Sequence, residues 1–238
     1  MKTILIQGAM MSEIEQLIEN LPSGQKINHH GYFFFITKLN GVQIIISQTK
    51  IGIIHACIAT QLAIEKYSPD IIINQGTAGA HIRDLTVGDI IIGETAVYLN
   101  DIRTPTRKKG KGSNALEWLP GDSGSFVIST DPSLVKFAAK IPYDGRIFSG
   151  RLGSGDLFSK ETDRIDLLHS QLGEISEDME SAAVYKVCHT FNVPVVGIRV
   201  ISNNEITGNK DVEKQFEIAQ TKLQAYILQL LEALTKFI

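Results

Sequence analysis

Several short runs of this chain are apolar on every side, and they recur between segments with helical periodicity. Thr3 to Gln7, Ile71-Ile72-Ile73 and the stretch 194–201 are such runs. A strand buried on both faces loses the in–out alternation of a half-exposed one, so each reads as a strand inside a covered sheet. Met10, Ile14, Leu17, Ile18 and Leu21 follow the first run at helical spacing. Ile51, Ile54, His55, Ile58, Ala59, Leu62 and Ala63 mark an amphipathic helix that Pro69-Asp70 ends. Asn40-Gly41, between Tyr32–Thr37 and Val42–Ser47, is a hairpin signal. Val87–Val97 reads as a further strand opened by Gly88-Asp89. Helices are expected near 132–140, 160–171 and 179–190, and a strand near 145–152. A last helix carries Val212, Phe216, Ala219, Leu223, Tyr226, Leu230 and Leu234 on one face. Strands alternating with helices give the α/β class. The expectation is a single domain over 1–238, with a mixed, mostly parallel central sheet flanked by helices.

With 238 residues, 43% of them hydrophobic, the chain can bury a substantial core. A net charge of -3 lacks the basic footprint of a nucleic-acid binder. Cys57 and Cys188 both lie in apolar helical stretches, as buried thiols of a reducing compartment do, and no spacing suggests a zinc site. Ile4-Leu5-Ile6 is too short for a signal-peptide core, and no run approaches the roughly 18 apolar residues of a membrane span. The expected setting is the cytoplasm, with neither nucleic acid nor membrane as a partner.

Four segments follow strands and can converge where ligands bind such sheets, outside the carboxyl ends of the strands. Gly8-Ala9-Met10-Met11-Ser12-Glu13 places Glu13 just inside a helix, where it is either a site carboxylate or a solvated first-turn glutamate. Gln75-Gly76-Thr77-Ala78-Gly79 is a small-residue turn, plain or ligand-approaching. Ser154-Gly155-Asp156-Leu157-Phe158 offers an aromatic that either stacks on a flat ring or fills the core. Glu177-Asp178-Met179-Glu180-Ser181 puts Glu180 at a helix start, and Arg199-Val200-Ile201-Ser202-Asn203 puts polar groups at the end of a buried strand. A capped helix and a polar strand end are the structural alternatives there.

Taken in order, Gly8-Ala9-Met10 with Glu13, Asn74 to Gly79, Val87-Gly88-Asp89, Ser154-Gly155-Asp156, Asp178-Met179-Glu180 and Arg199 to Ser202 resemble the nucleoside phosphorylase/nucleosidase superfamily. Within it the pattern most resembles the 5′-methylthioadenosine/S-adenosylhomocysteine nucleosidases. The resemblance implies hydrolysis of the N-glycosidic bond of a 5′-modified purine nucleoside, with no metal or organic cofactor. It implies Glu13 as the general base that activates water, and Glu180 as the ligand of the ribose hydroxyls. Met179 packs on the sugar, Phe158 stacks on the base, and Thr77 lines the nucleophile pocket. Ala78, Gly79, Asp178, Arg199 and Ser202 complete the implied substrate site. A homodimer is implied, with the helix carrying His55 at the interface and a neighbouring subunit closing the 5′ pocket. His55 is read as a core or interface residue. The family's place is in methionine salvage.

Two features depart from that pattern. The family carries an aspartic acid after the serine matched by Ser202, which protonates N7 of adenine; here Asn203 takes its place. An amide hydrogen-bonds a base but is no general acid, so either adenine chemistry is slow or the base is a 6-oxopurine, as in futalosine. Glu205 is a candidate substitute acid. The other departure is the loop of residues 100–125, whose stretch 103–114 is long and basic; it is either a solvated loop or a reader of an acidic 5′ group. The related phosphorylases clamp phosphate with arginines. This chain has no arginine before Arg83 and has Asn74 three residues before Thr77, which favours water as nucleophile. The remaining alternatives are a phosphorylase and a non-catalytic nucleoside-binding protein.

Overall fold

The computed structural model describes residues 1–121, 127–208 and 212–237. Residues 122–125 of the expected loop, and the side chain of Val212, lie outside that description. In chain order the elements are β1 (Thr3–Gly8), α1 (Glu15–Asn20), β2 (Gln25–His29), β3 (Tyr32–Leu39), β4 (Val42–Gln48), α2 (Ile53–Tyr67), β5 (Ile71–Ala80) and β6 (Ile90–Tyr98). They continue with β7 (Ile102–Arg103), β8 (Leu119–Pro120), β9 (Ile128–Ser129), α3 (Pro132–Ala138), β10 (Ile147–Ser154), α4 (Thr162–Leu172), β11 (Glu174–Asp178), α5 (Ser181–Phe191), β12 (Val195–Asn203) and α6 (Val212–Phe237).

The sheet runs β11-β10-β6-β12-β5-β1-β4-β3-β2, and β11 turns back to pair with β5. Five strands thereby close a ring, from which β1, β4, β3 and β2 extend as an open wing. The sheet is mixed. β1 is parallel to β4 and β5, β10 to β6 and β11, and β12 to β5, whereas β12–β6 and β11–β5 are antiparallel. The expected α/β architecture with flanking helices is the one found.

The unbroken apolar runs have a direct cause. Successive side chains of a strand point to opposite faces, and here both faces are covered. Ile4 and Ile6 enter one core with Ile44, Ile46, Ile90 and Ile92, under α6 and α3. Leu5, Ile45 and Ile91 enter the other, against α2 and α5. The hairpin at Asn40-Gly41 has φ of 50° and 81°, the two positive values of a type I′ turn, and Leu39 pairs with Val42 across it.

Three expectations change. The first helix is a 3-10 turn, Met11–Glu13, followed by the short α1, because Glu13 is drawn into hydrogen bonds away from a regular helix. On α2, Ile54 is 70% and Ile58 42% exposed, while Ala56, Ala59 and Ala63 take the core side. His55 is exposed too, with Nδ1 2.9 Å from the Tyr32 hydroxyl, so it is no core residue. The basic loop is partly ordered. β7 pairs with β8, Arg107 bridges Glu117 at 2.7 Å, and the Trp118 ring lies 5.9 Å from the guanidinium carbon of Arg164 on α4.

Candidate active site

The strand β5 has two different neighbours along one edge. β1 accompanies it from Ile71 to Asn74, and β11 joins at Gly79 and Ala80. Between them the edge is without a strand partner, and Glu13 fills the gap. Its Oε1 accepts from the Thr77 amide at 3.0 Å and the Thr77 hydroxyl at 3.3 Å. Its Oε2 accepts from the amides of Ala9 at 2.8 Å and Met10 at 3.1 Å. Glu13 is therefore no solvated first-turn glutamate: it is 3% exposed and held by four donors. A side chain on Gly76 would come within 2.9 Å of its carboxylate, so that position has no room for one.

Glu180 approaches from the start of α5. Its Oε1 accepts from the Gly52 amide at 3.0 Å, and Asp156 Oδ1 accepts from Ile53 at 2.9 Å. Two otherwise unpaired N–H groups of α2 are thus satisfied by carboxylates. Gly52 adopts φ of 102°, and a Cβ there would sit 2.8 Å from Asp156, so only glycine serves. Burial, and next the charge of Asp178, push the Glu180 carboxyl up to about 8, against the pull of Arg199 and the Gly52 amide. Asp178 is shifted the opposite way: burial raises it, but Arg199 and the donors from Ser181 and Ser154 outweigh that and hold it low.

One open cleft brings these groups together. Glu13, Thr77, Ala78, Gly79, Phe158, Asp178, Met179, Glu180, Ser202 and Asn203 all line it. Phe158 is 54% exposed at its mouth, with Lys160 5.2 Å from its ring centre, which answers the alternative of a core aromatic. Arg199 is the exception. It is 1% exposed and lies behind the cleft wall, donating to Asp178 at 2.9 Å and to the Asn74 side chain at 2.5 Å. Its place corrects the expectation of a substrate ligand: the cation is consumed in holding Asp178, which in turn caps α5 through the amides of Glu180 and Ser181. Among the described residues lining the cleft there is no arginine or lysine, and none of 103–114 reaches it.

Sequence reasoning missed His81, Ser159 and Phe216 as lining residues and Gly52 as a donor. Strand alternation carried a signal for His81, which follows Thr77 and Gly79 at a period of two. Asn203 Nδ2 donates to Glu205 at 3.2 Å, and its Oδ1 accepts from Ser202 at 3.0 Å.

A ring-closed α/β sheet with buried carboxylates gathered in one cleft outside the ends of its strands has the site of a small-molecule enzyme. The phosphorylase superfamily model matches residues 3–232, and the chain belongs to that family. A Chromohalobacter salexigens protein named 5′-methylthioadenosine/S-adenosylhomocysteine nucleosidase is 30% identical over 241 residues, which cover 99% of this chain and 97% of that one. A Shewanella loihica protein of the same name is 32% identical over 89% of each chain. Among solved structures, an aspartate-to-asparagine mutant of the Helicobacter pylori nucleosidase with 5′-methylthioadenosine in its active site is similar, with a TM-score of 0.83 and 25% identity over 98% of this chain and 99% of that one. The futalosine hydrolase of the same organism shares the fold, with a TM-score of 0.83 and 24% identity over 98% of each chain.

Proposed function

We propose that the protein hydrolyses the N-glycosidic bond of 5′-modified purine nucleosides, with methylthioadenosine and S-adenosylhomocysteine, the compounds its relatives are named for, as substrates. The observation that carries this reading is the meeting of Glu13 and Glu180, two buried carboxylates from different elements, in one cleft whose described lining has no arginine or lysine to clamp phosphate. Water attacks the anomeric carbon and gives its proton to Glu13 as the bond to the base nitrogen breaks. Positive charge develops on the sugar, and the carboxyl oxygens of Glu13 and Glu180 lie beside it as a preorganised stabilisation. Glu180 binds the ribose hydroxyls, Met179 packs on the sugar and Phe158 stacks on the base. Asn203 holds the base without transferring a proton, which comes to it from water. Met10, Ile51, Leu157 and Phe216 give the cleft an apolar wall, which suits a thioether at the 5′ position better than a carboxylate.

The exposed Ile54 and Ile58 of α2, with Ile51 at 51% exposure beside them, form an apolar patch that fits a homodimer interface. A cytoplasmic place in methionine salvage accords with this reading; among the described residues no helix is long and apolar enough to cross a membrane.

The test is release of free base from methylthioadenosine and S-adenosylhomocysteine with and without phosphate. Turnover independent of phosphate is expected, and a strict phosphate requirement would make the protein a phosphorylase. Asn203→Asp is expected to speed adenine release about tenfold or more, since it restores an acid at N7. An unchanged rate would mean that proton delivery to the base does not limit turnover.

Glu180 also couples the site to stability. Its carboxyl is raised from 4.5 to about 8, so the folded protein binds a proton more tightly than the unfolded chain does. That stabilisation is full below about pH 4.5 and is lost as pH rises through about 8. Glu180→Gln is therefore expected to raise the melting temperature at pH 9 by several degrees, with the gain vanishing near pH 5. Parallel melting curves for variant and wild type would show that the carboxyl is not strained.

A further inference from the structure

One group of buried charges beside the cleft takes no part in bond breaking: Glu174, Glu177 and His81. Residues three apart in a regular strand project to opposite faces, yet Glu174 and Glu177 meet on one imidazole. The cause is a slip in the pairing of β11 with β10. Arg151 lies opposite Glu174 and Leu152 opposite Ser176, which leaves Ile175 as an extra residue. Glu174 Oε1 is 2.8 Å from His81 Nδ1, and Glu177 Oε2 is 3.4 Å from Nε2. Burial works to lower the imidazole, but its hydrogen bonds to the two carboxylates outweigh that and hold it up at about 9. His81 is thus a cation between two carboxylates. Desolvation offsets most of what such a cluster gains in attraction, so stability alone does not account for it.

What Glu177 holds does account for it. Its Oε2 accepts from the Ser159 amide at 2.9 Å and its Oε1 from the Ser159 hydroxyl at 3.0 Å. Ser159 is the buried end of a strap, residues 155–159, that runs from β10 toward α4. Asp156 pins the other end: its amide donates to the Asn100 side chain at 3.0 Å, and its carboxylate accepts from Ile53 at 2.9 Å. Between the two pins, Leu157 is 41% and Phe158 54% exposed, and both line the cleft. A ring so open to solvent has little packing to orient it, and the backbone on either side sets where it stands.

We propose that Glu177 is a positioning residue: it pins Ser159, and through the strap it sets Phe158 over the base of the bound nucleoside. His81 and Glu174 hold the Glu177 carboxylate from behind. The proposal rests on the nucleosidase reading, in which Phe158 stacks on the base. Stacking is the same before and during bond breaking, so a misplaced ring weakens binding and leaves the chemical step alone.

The test is a cycle of Glu177→Ala and Phe158→Ala, read as KM and kcat for methylthioadenosine. Glu177→Ala is expected to raise KM about tenfold, the lower part of what one stacked base contributes, with kcat close to wild type. In the Phe158→Ala background the same change is expected to leave KM within about twofold, because the ring it positions is gone. Glu177→Gln has an oxygen for the Ser159 amide and an NH2 group for the Ser159 hydroxyl, and is expected to bring KM back near wild type. A role in stability alone would lower the melting temperature of Glu177→Ala and leave KM as it was. That outcome, effects that multiply in full in the double variant, or a loss confined to kcat would each overturn the proposal. If Glu177→Ala does not fold, Ser159→Ala carries the test, since it removes one of the two hydrogen bonds and leaves the buried charges together. KM about threefold higher is then expected, and an unchanged KM overturns the proposal. Binding of methylthioadenosine without hydrolysis would remove the nucleosidase, and the same cycle read by calorimetry as Kd would still decide the positioning. Hydrolysis with a KM that Glu177→Ala does not move keeps the nucleosidase and removes the positioning.

Discussion

Replacing Glu13 with glutamine is expected to lower the rate of base release about 10³-fold, in the middle of the range a positioned base contributes, while nucleoside binding persists. The glutamine keeps the length of the side chain but cannot take the proton from water. It also replaces one carboxylate oxygen by an amide nitrogen. That nitrogen meets either the Thr77 donors or the amides of Ala9 and Met10, all of which now face an acceptor. Some loss of stability accompanies the change, so the rate is read on protein shown to bind substrate. Turnover within a fewfold of wild type would remove Glu13 from the chemistry. Turnover abolished by Glu13→Gln in an otherwise active protein would exclude a mere nucleoside-binding role.

The second large effect concerns Arg199. The substitution Arg199→Met is expected to cost about 3–5 kcal/mol, because it leaves Asp178 as a buried charge without its counter-ion. For a chain of this size that is a fall in melting temperature of roughly 10 °C. Asp178 keeps its donors from Ser154 and Ser181, which places the loss at the lower end of that range. Differential scanning calorimetry reads it directly. A variant that melts like the wild type yet binds nucleoside poorly would return Arg199 to the substrate site from which the structure removes it.

That correction shows where the sequence is legible. The ends of buried strands can be read as places for polar groups, and Glu13, Thr77, Asp178, Glu180, Ser202 and Asn203 do meet at one cleft. Arg199 has the same signature, a polar residue late in an apolar strand, and points elsewhere. Within a strand, direction depends on pairing register, and neither the ring closure by β11 nor its antiparallel contact with β5 has a local sequence mark. β11 itself, Glu-Ile-Ser-Glu-Asp, escapes a reading by pattern, since its polar residues conceal a strand. They are polar because they face His81, Ser159 and Arg199 rather than the core. The alternation along β5 points to His81, but its partner Glu174, some 90 residues away in the chain, has no such mark. The helix α2 is legible but its faces are not, because isoleucines presented to a second surface have the same spacing as isoleucines presented to a core.

The gap in the edge of β5 has an evolutionary consequence. Three of the four groups that fix Glu13 are main-chain amides, those of Ala9, Met10 and Thr77. Every amino acid except proline supplies such an amide. Side chains at Ala9 and Met10 can therefore drift, and with them the taste of the cleft for one nucleoside or another, without loosening the carboxylate. What cannot drift is spacing. An insertion or deletion of one residue between the end of β1 and Glu13 would carry the carboxylate out of the gap. The reactive centre of this fold is in that sense specified as a length rather than as a set of letters.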